Sequence, residues 1–245
     1  MKFENTSVWG FKHAIRGMRN PMNSWQKSDS ICDIVCDECV LDYCNRSDTT
    51  CEQTSFGIHT ILGKNDLELM QKLIKSGSEH RKFLRQIFVS VDITAPLYWW
   101  KEFDTYKVGT VANSTSTMHK LSSTPITVDC FETDDFDEDV IDSLNDSEFM
   151  DITHDLILFL EELRKRYSET KNKKYWKELI RWLPESWLQK RTVTMNYENV
   201  LTMIHQRQNH KLNEWSGKDN IDVPNFMSWA KRLPYAKVLL FNVKE

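Results

Sequence analysis

Apolar residues return every three or four positions through much of this chain, and in a few short runs they alternate instead. Val8, Phe11, Ala14, Ile15 and Met18 keep helical spacing, which predicts a helix over residues 5–19, with Thr6 or Ser7 as its N-cap and Asn20-Pro21 as its stop. Leu67, Met70, Leu73 and Ile74 predict a second helix, opened by Asn65 and closed by Gly77. Ser78 then caps a further helical stretch that passes into Ile87-Phe88-Val89-Ser90-Val91-Asp92-Ile93, the clearest strand by its β-branched content and alternation. Residues 56–63 read as a short strand or loop. Pro96 interrupts the strand pattern, and residues 97–103 form a helix whose Tyr98, Trp99, Trp100 and Phe103 either fill a core or subunit contact or stack on a ligand. Leu156, Phe159, Leu160, Leu163 and Tyr167 mark a long helix, and Tyr175, Leu179, Trp182 and Leu183 a second that ends at Pro184. A third is predicted from Met195 to about Trp215. The last stretch, 224–241, is helical at first, broken at Leu233-Pro234, and ends in an apolar tail that should dock on the body. A helix-rich body with a small sheet follows, as one domain over residues 1–245.

Composition narrows the class. Seven Gly and six Pro in 245 residues exclude collagen, flexible-linker and low-complexity chains, and suit an all-β fold poorly. A net charge of -4 argues against gripping duplex nucleic acid through the overall field. No run approaches the ~18 apolar residues of a membrane span, and the first residues show no signal-peptide pattern, so a cytoplasmic protein without a membrane partner is expected. Residues 121–163 contain no Lys or Arg, and residues 129–151 carry eleven carboxylates. They lack the central Gly and terminal Glu of a calcium loop and read as a solvated loop and helix start. Residues 22–29 are polar around Trp25, which either belongs to a loop that binds something or covers the core.

Three features could carry chemistry. Five of the six cysteines, Cys32, Cys36, Cys39, Cys44 and Cys51, fall within twenty residues, in a segment of about 31–52. Thiolates two to four residues apart can close a tetrahedral site, so Cys32, Cys36, Cys39 and Cys44, with Cys51 as a fifth candidate for the four positions, are the candidate ligands of a structural zinc, about one per chain. The Cys-x3-Cys-x2-Cys spacing also suits an iron–sulfur cluster, and unliganded thiols are the plain alternative. The second feature is Arg207, which shares the stripe Asn196, Val200, Met203/Ile204 and so needs a partner. That partner is either a buried carboxylate or, with His210 or Lys211 one turn on, the phosphate or pyrimidine edge of a ligand. The third is residues 107–119, where Lys107, Thr110, Asn113, Ser114, Thr115, Ser116 and Thr117 are donors around Gly109, a composition suited to phosphate though it lacks the Walker pattern.

In order along the chain, these pieces resemble the flavin-dependent thymidylate synthases. That family shows a Glu-His before a strand, an Ile-x-Ala-Pro turn, an aromatic helix, and the signature R-H-R-x-x-S-x-N-x-x-S-x-R-Y. Glu79-His80, the strand to Val91, Ile93-Thr94-Ala95-Pro96 and Tyr98-Trp99-Trp100 follow the same order. The signature falls on Thr105-Tyr106-Lys107, Thr110, Asn113, Ser116, Met118 and His119, with one residue inserted before Asn113. The Leu-Pro turn, the T-x-N segment and an Arg eleven residues after its Asn correspond to Leu183-Pro184, Thr194-Met195-Asn196 and Arg207. The match runs from about Ser7 to Trp215, apart from the Cys-rich and acidic segments.

The resemblance implies a mixed α/β body around a small curved antiparallel sheet, assembled as a homotetramer. It also implies one-carbon transfer to deoxyuridylate (dUMP) with hydride from flavin, so no protein nucleophile is expected. Arg207, Asn196, Ser116 and His210 would then contact a pyrimidine nucleotide, while Lys107, Thr110, Asn113 and His80 would contact FAD. The signature arginines that hold phosphates in the family are here Thr105, Lys107 and Met118. A lone ammonium cannot form the two-pronged contact of a guanidinium. Two functions therefore stand against each other: an enzyme acting on a pyrimidine deoxynucleotide, and a non-catalytic nucleotide- or protein-binding module that kept the fold.

Overall fold

A computed structural model describes residues 1–35, 58–133, 152–219 and 223–241. Most of the acidic segment and all of the clustered cysteines except Cys32 lie outside these residues. The elements run β1 (Lys2–Trp9), α1 (Phe11–Arg19), β2 (Ile31–Val35), β3 (Ile58–Ile61), α2 (Lys64–Lys75), β4 (Phe88–Pro96), α3 (Leu97–Phe103), β5 (Val111–Ser114) and α4 (Thr117–Lys120). After them come α5 (Ile152–Thr170), α6 (Lys173–Arg181), β6 (Leu188–Asn196), α7 (Tyr197–Arg207), α8 (Asn213–Ser216) and α9 (Phe226–Lys231). The expected class holds: a helix-rich chain carries a small antiparallel sheet of four strands, in the order β1-β4-β6-β5. Strands β2 and β3 form a separate antiparallel pair.

The chain divides into two compact units. The smaller comprises Met1, Thr94–Thr105 and Ser114–Arg191; the larger comprises Lys2–Ile93, Tyr106–Asn113 and Thr192–Glu245. In the smaller unit, Leu160 and Leu163 of α5 and Leu179 of α6 close on Leu121, Ile126 and Phe131, the expected use of a helical stripe. Phe159 and Trp182, assigned to the same stripes by spacing, are instead exposed and meet edge to face at 6.4 Å. Trp99, Trp100 and Phe103 of α3 are buried in ring contacts at 4.9–5.4 Å.

In the larger unit, β4 alternates buried Val89, Val91 and Ile93 with less buried Ser90 and Asp92, as its sequence alternation requires. Helix α1 buries Phe11, Ala14, Ile15 and Met18. Three expectations are corrected here. Residues 5–19 are not one helix: β1 occupies the first part, and Gly10, at φ 100°, turns the chain so that neither Thr6 nor Ser7 serves as N-cap. A Cβ at Gly10 would sit 2.0 Å from the Gln86 carbonyl oxygen, so the close approach as well as the backbone angle selects glycine. Residues 81–86 form a 3-10 turn without a side-chain cap, not an α-helix opened by Ser78. Finally, α2 begins at Lys64, and the Asp29 carboxylate, not Asn65, accepts from the amides of Asn65 and Asp66 at 2.9 and 3.1 Å.

That cap belongs to a buried network. Asp66 is fully buried and takes a 2.6 Å bond from Arg19 Nε, while its other oxygen accepts from the Ser28 and Ser30 hydroxyls at 2.6 Å each and from the Asp29 and Ser30 amides. Residues 22–29 are thereby tied to α1 and α2. Trp25 stays on the surface, its indole N–H donating to Asn20 and the Arg16 guanidinium over its ring, so it does not cover the core. At the far end of the chain, the expected apolar tail buries Leu239 and Leu240. Tyr235, at φ 57°, accepts from the Leu62 amide and donates to the Thr60 carbonyl, both at 3.0 Å, which fastens this segment to the end of β3.

Candidate functional site

The helix predicted from Met195 starts two residues later, because Met195 and Asn196 close β6, a strand that the sequence reading missed. Asn196 is the N-cap of α7. Its side-chain Oδ1 accepts from the Asn199 backbone amide at 3.0 Å, and the Asn199 side-chain Oδ1 accepts from the Asn196 backbone amide at 3.2 Å, a reciprocal capping box. The Asn196 side chain, 8% exposed, thus holds the fold together before it can touch any ligand. Val200, Met203 and Ile204 are buried as their spacing predicts, and Arg207 lies partly buried in the last turn, where a cation also complements the helix dipole.

The turn at residues 106–110 docks on the start of α7. Asn199 Nδ2 donates to the Val108 carbonyl at 2.7 Å, and the Thr110 hydroxyl donates to the Tyr106 carbonyl. Gly109 takes φ 80°, and a Cβ there would press within 3.0 Å of both the Asn196 and Asn199 side chains. The chain can therefore pass over the capping box only at a glycine. Lys107 and Asn113 project from this stretch with exposed side chains, and β5 beyond it is exposed at every position.

Tyr106 connects the turn to Arg207. Its hydroxyl accepts from Arg207 Nε at 2.9 Å and donates to Gln206 Oε1 at 2.8 Å. The guanidinium carbon lies 5.5 Å from the Tyr106 ring centre and 5.1 Å from that of fully buried Trp215. Such contacts favour a cation electrostatically and also restrict the plane of the guanidinium. His210 packs against Trp215 at 6.5 Å, and its Nδ1 accepts from the Leu212 amide at 3.1 Å.

In the larger unit, Arg207 and His210 lie against Trp215, and Tyr106 joins Arg207 to the turn that bears Lys107 and Thr110, whereas Asn196 sits at the opposite end of α7, beneath Gly109. Asn113 follows on β5. His80 is exposed ahead of the 3-10 turn, and among the described contacts none joins it to this cluster. Its neighbour Arg81 pairs through Nε with both oxygens of Glu198, at 3.0 and 3.2 Å, in the first turn of α7. Glu198 and the capping box already serve this helix N-terminus. Ser116 belongs to the smaller unit, where its hydroxyl accepts from the His119 amide and caps α4.

Sequence reasoning missed the parts played by Tyr106, Asn199 and Trp215. Asn199 was legible, since Asn at Ncap and N3 is capping-box spacing; the tyrosine and tryptophan carry no local signal of a contact with Arg207. The zinc expectation falls on Cys36, Cys39 and Cys44, outside the described residues, and on Cys32, of which only the β2 backbone is described. Among the described residues no group of three or more His, Cys, Asp or Glu is placed to hold a metal. No helix among them is long and apolar enough to cross a membrane.

No family model and no curated protein matches the chain. Its fold is nonetheless similar to solved structures. A crystal structure of flavin-dependent thymidylate synthase from Helicobacter pylori, complexed with FAD and dUMP, superposes with a TM-score of 0.61 over 100% of both chains at 15% identity. A second structure of that enzyme, also with FAD and dUMP, gives 0.60 over 99% of this chain and 98% of the other, again at 15% identity. The chain has the fold of a flavin-dependent thymidylate synthase.

Proposed function

We propose that this protein binds a pyrimidine deoxynucleotide at Arg207 and transfers a one-carbon unit to dUMP or makes a related modification of it. The observation that carries this reading is the arginine itself, held at Nε by Tyr106 and flanked by two aromatic rings. The turn that bears Lys107 is fastened alongside. A guanidinium held in this way can meet a phosphate or carbonyl without first being ordered, which strengthens a charge-assisted bond. The fold's similarity to structures complexed with FAD and dUMP supports the same assignment.

For FAD, the exposed Lys107, Asn113 and His80 are the side chains that fit a phosphate, whereas the Thr110 hydroxyl is already engaged within its turn. Bound flavin would supply the hydride for one-carbon transfer. The chain's own residues bind and orient the nucleotide. A second reading, a nucleotide-binding module without catalysis, is favoured by the loss of cationic donors. Thr105, where the resemblance expects arginine, donates its hydroxyl to the Glu102 carbonyl at 2.7 Å and offers no charge.

Arg207→Ala is expected to weaken dUMP binding by roughly 2–3 kcal/mol, the order of a hydrogen bond to a charged group, with little change in the melting temperature of the ligand-free protein. Calorimetric titration and thermal unfolding, with and without dUMP, read the two effects. A wild type stabilised by no pyrimidine nucleotide defeats the reading. The visible absorbance of protein as purified separates enzyme from module: flavin bands support the first, and nucleotide binding without flavin supports the second. Zinc at the cysteine segment belongs to the same proposal, with about one equivalent expected by elemental analysis; iron with sulfide, or no metal and reactive thiols, refutes it.

A further inference from the structure

We infer that Tyr106 is the positioning residue of the nucleotide site, acting through Arg207 and not on the ligand itself. The inference rests on the reading of Arg207 as the nucleotide contact and adds what aims it.

An arginine at the last turn of a helix has four rotatable side-chain bonds and sweeps a wide arc unless something restrains its head. Here the restraint is specific. The Tyr106 hydroxyl takes the Nε hydrogen at 2.9 Å and passes its own hydrogen to Gln206 Oε1 at 2.8 Å, so donor, hydroxyl and acceptor form a directed chain. Two ring faces, Tyr106 at 5.5 Å and Trp215 at 5.1 Å, limit rotation of the plane. Tyr106 is in turn held where it is. Its carbonyl accepts from the Thr110 hydroxyl, and the turn that follows is anchored through Val108 to Asn199 at the far end of the same helix. One short turn therefore spans α7 from its first residues to its last, and sets the arginine's direction from outside the helix that carries it.

Tyr106→Phe tests this, because it keeps the ring and removes only the hydroxyl. In the full-length, ligand-free protein, the Arg207 Nε–H resonance is expected as a distinct, slowly exchanging signal, identified by its loss in Arg207→Lys. It should merge with the exposed arginines in Tyr106→Phe. The dissociation constant for dUMP should rise about tenfold, with an unchanged melting temperature, and Tyr106→Phe should add nothing to the loss already caused by Arg207→Ala. An Nε–H signal unaltered by Tyr106→Phe, or losses that simply add, overturns the inference. If the wild type binds no dUMP, the functional reading fails, while the resonance still decides whether Tyr106 holds Arg207.

Discussion

Asp66→Ala is expected to lower the unfolding free energy by about 3–5 kcal/mol, the usual consequence of removing one partner of a buried ion pair. The loss is large because Arg19, 4% exposed, would keep its charge without the carboxylate that faces it at 2.6 Å. The Ser28 and Ser30 hydroxyls and two backbone amides would lose their acceptor at the same time. Against a total stability of roughly 5–15 kcal/mol, such a change approaches unfolding. The wild-type carboxylate also fixes the sign of a pH effect. Burial alone would raise the Asp66 pKa, but the hydrogen bonds from Ser28, Ser30 and Arg19 and the arginine charge outweigh it, and the net shift is downward from 3.8. A lowered folded-state pKa gives a contribution that is present above the unfolded value and lost as pH falls through the folded one. Urea unfolding of wild type should therefore show this stabilisation at neutral pH and lose it as pH falls from the unfolded carboxylate value toward the lower folded one, an acid step that Asp66→Asn should lack. An Asp66→Ala protein as stable as wild type at neutral pH would refute the network's role.

Trp100→Ala should cost about 3–5 kcal/mol of stability with no ligand present, as expected for emptying a fully buried tryptophan site. Trp100 is 1% exposed, donates its indole N–H to the Gln189 carbonyl at 2.9 Å, and lies beneath the Arg191 guanidinium at 4.2 Å. Truncation would remove ring packing, the donor to Gln189 and the arginine's aromatic support together. Trp100→Phe should recover most of the packing and lose the hydrogen bond, an intermediate effect of about 1–2 kcal/mol. Had α3 been a ligand-stacking helix, the alanine variant would fold normally and fail only in binding. Denaturant unfolding without nucleotide tells the two apart.

These contrasts show where the sequence was legible. Helix α3 was read to its boundaries and β4 nearly so, because aromatic clustering and β-branched alternation are local signals. The N-terminal strand was absorbed into a helix because Val8 falls in phase with Phe11, and the glycine that separates them acts through a contact with Gln86, far along the chain. Strand β6 went unread because only its last residues alternate in burial, beside a helix that begins at once. Arg207 was found by spacing and by resemblance. Its aromatic and hydroxyl partners were not, since Tyr106 is 101 residues away in sequence and nothing around it announces that contact. The spacing of Asn196 placed it on a helical stripe, yet its side chain caps the helix instead.

The Tyr235 clasp has a bearing on the order in which the chain acquires its structure. Its hydroxyl closes contacts across 173 and 175 residues, to Leu62 and Thr60. Contacts so distant in sequence form slowly, since the loop must close before they stabilise anything. On the ribosome, β3 is synthesised long before Tyr235 emerges, and until then the Leu62 amide and Thr60 carbonyl must bond to water. The edge of the β2–β3 pair is thus completed only after the C-terminal segment leaves the exit tunnel, and a chain stalled short of Tyr235 carries that edge open.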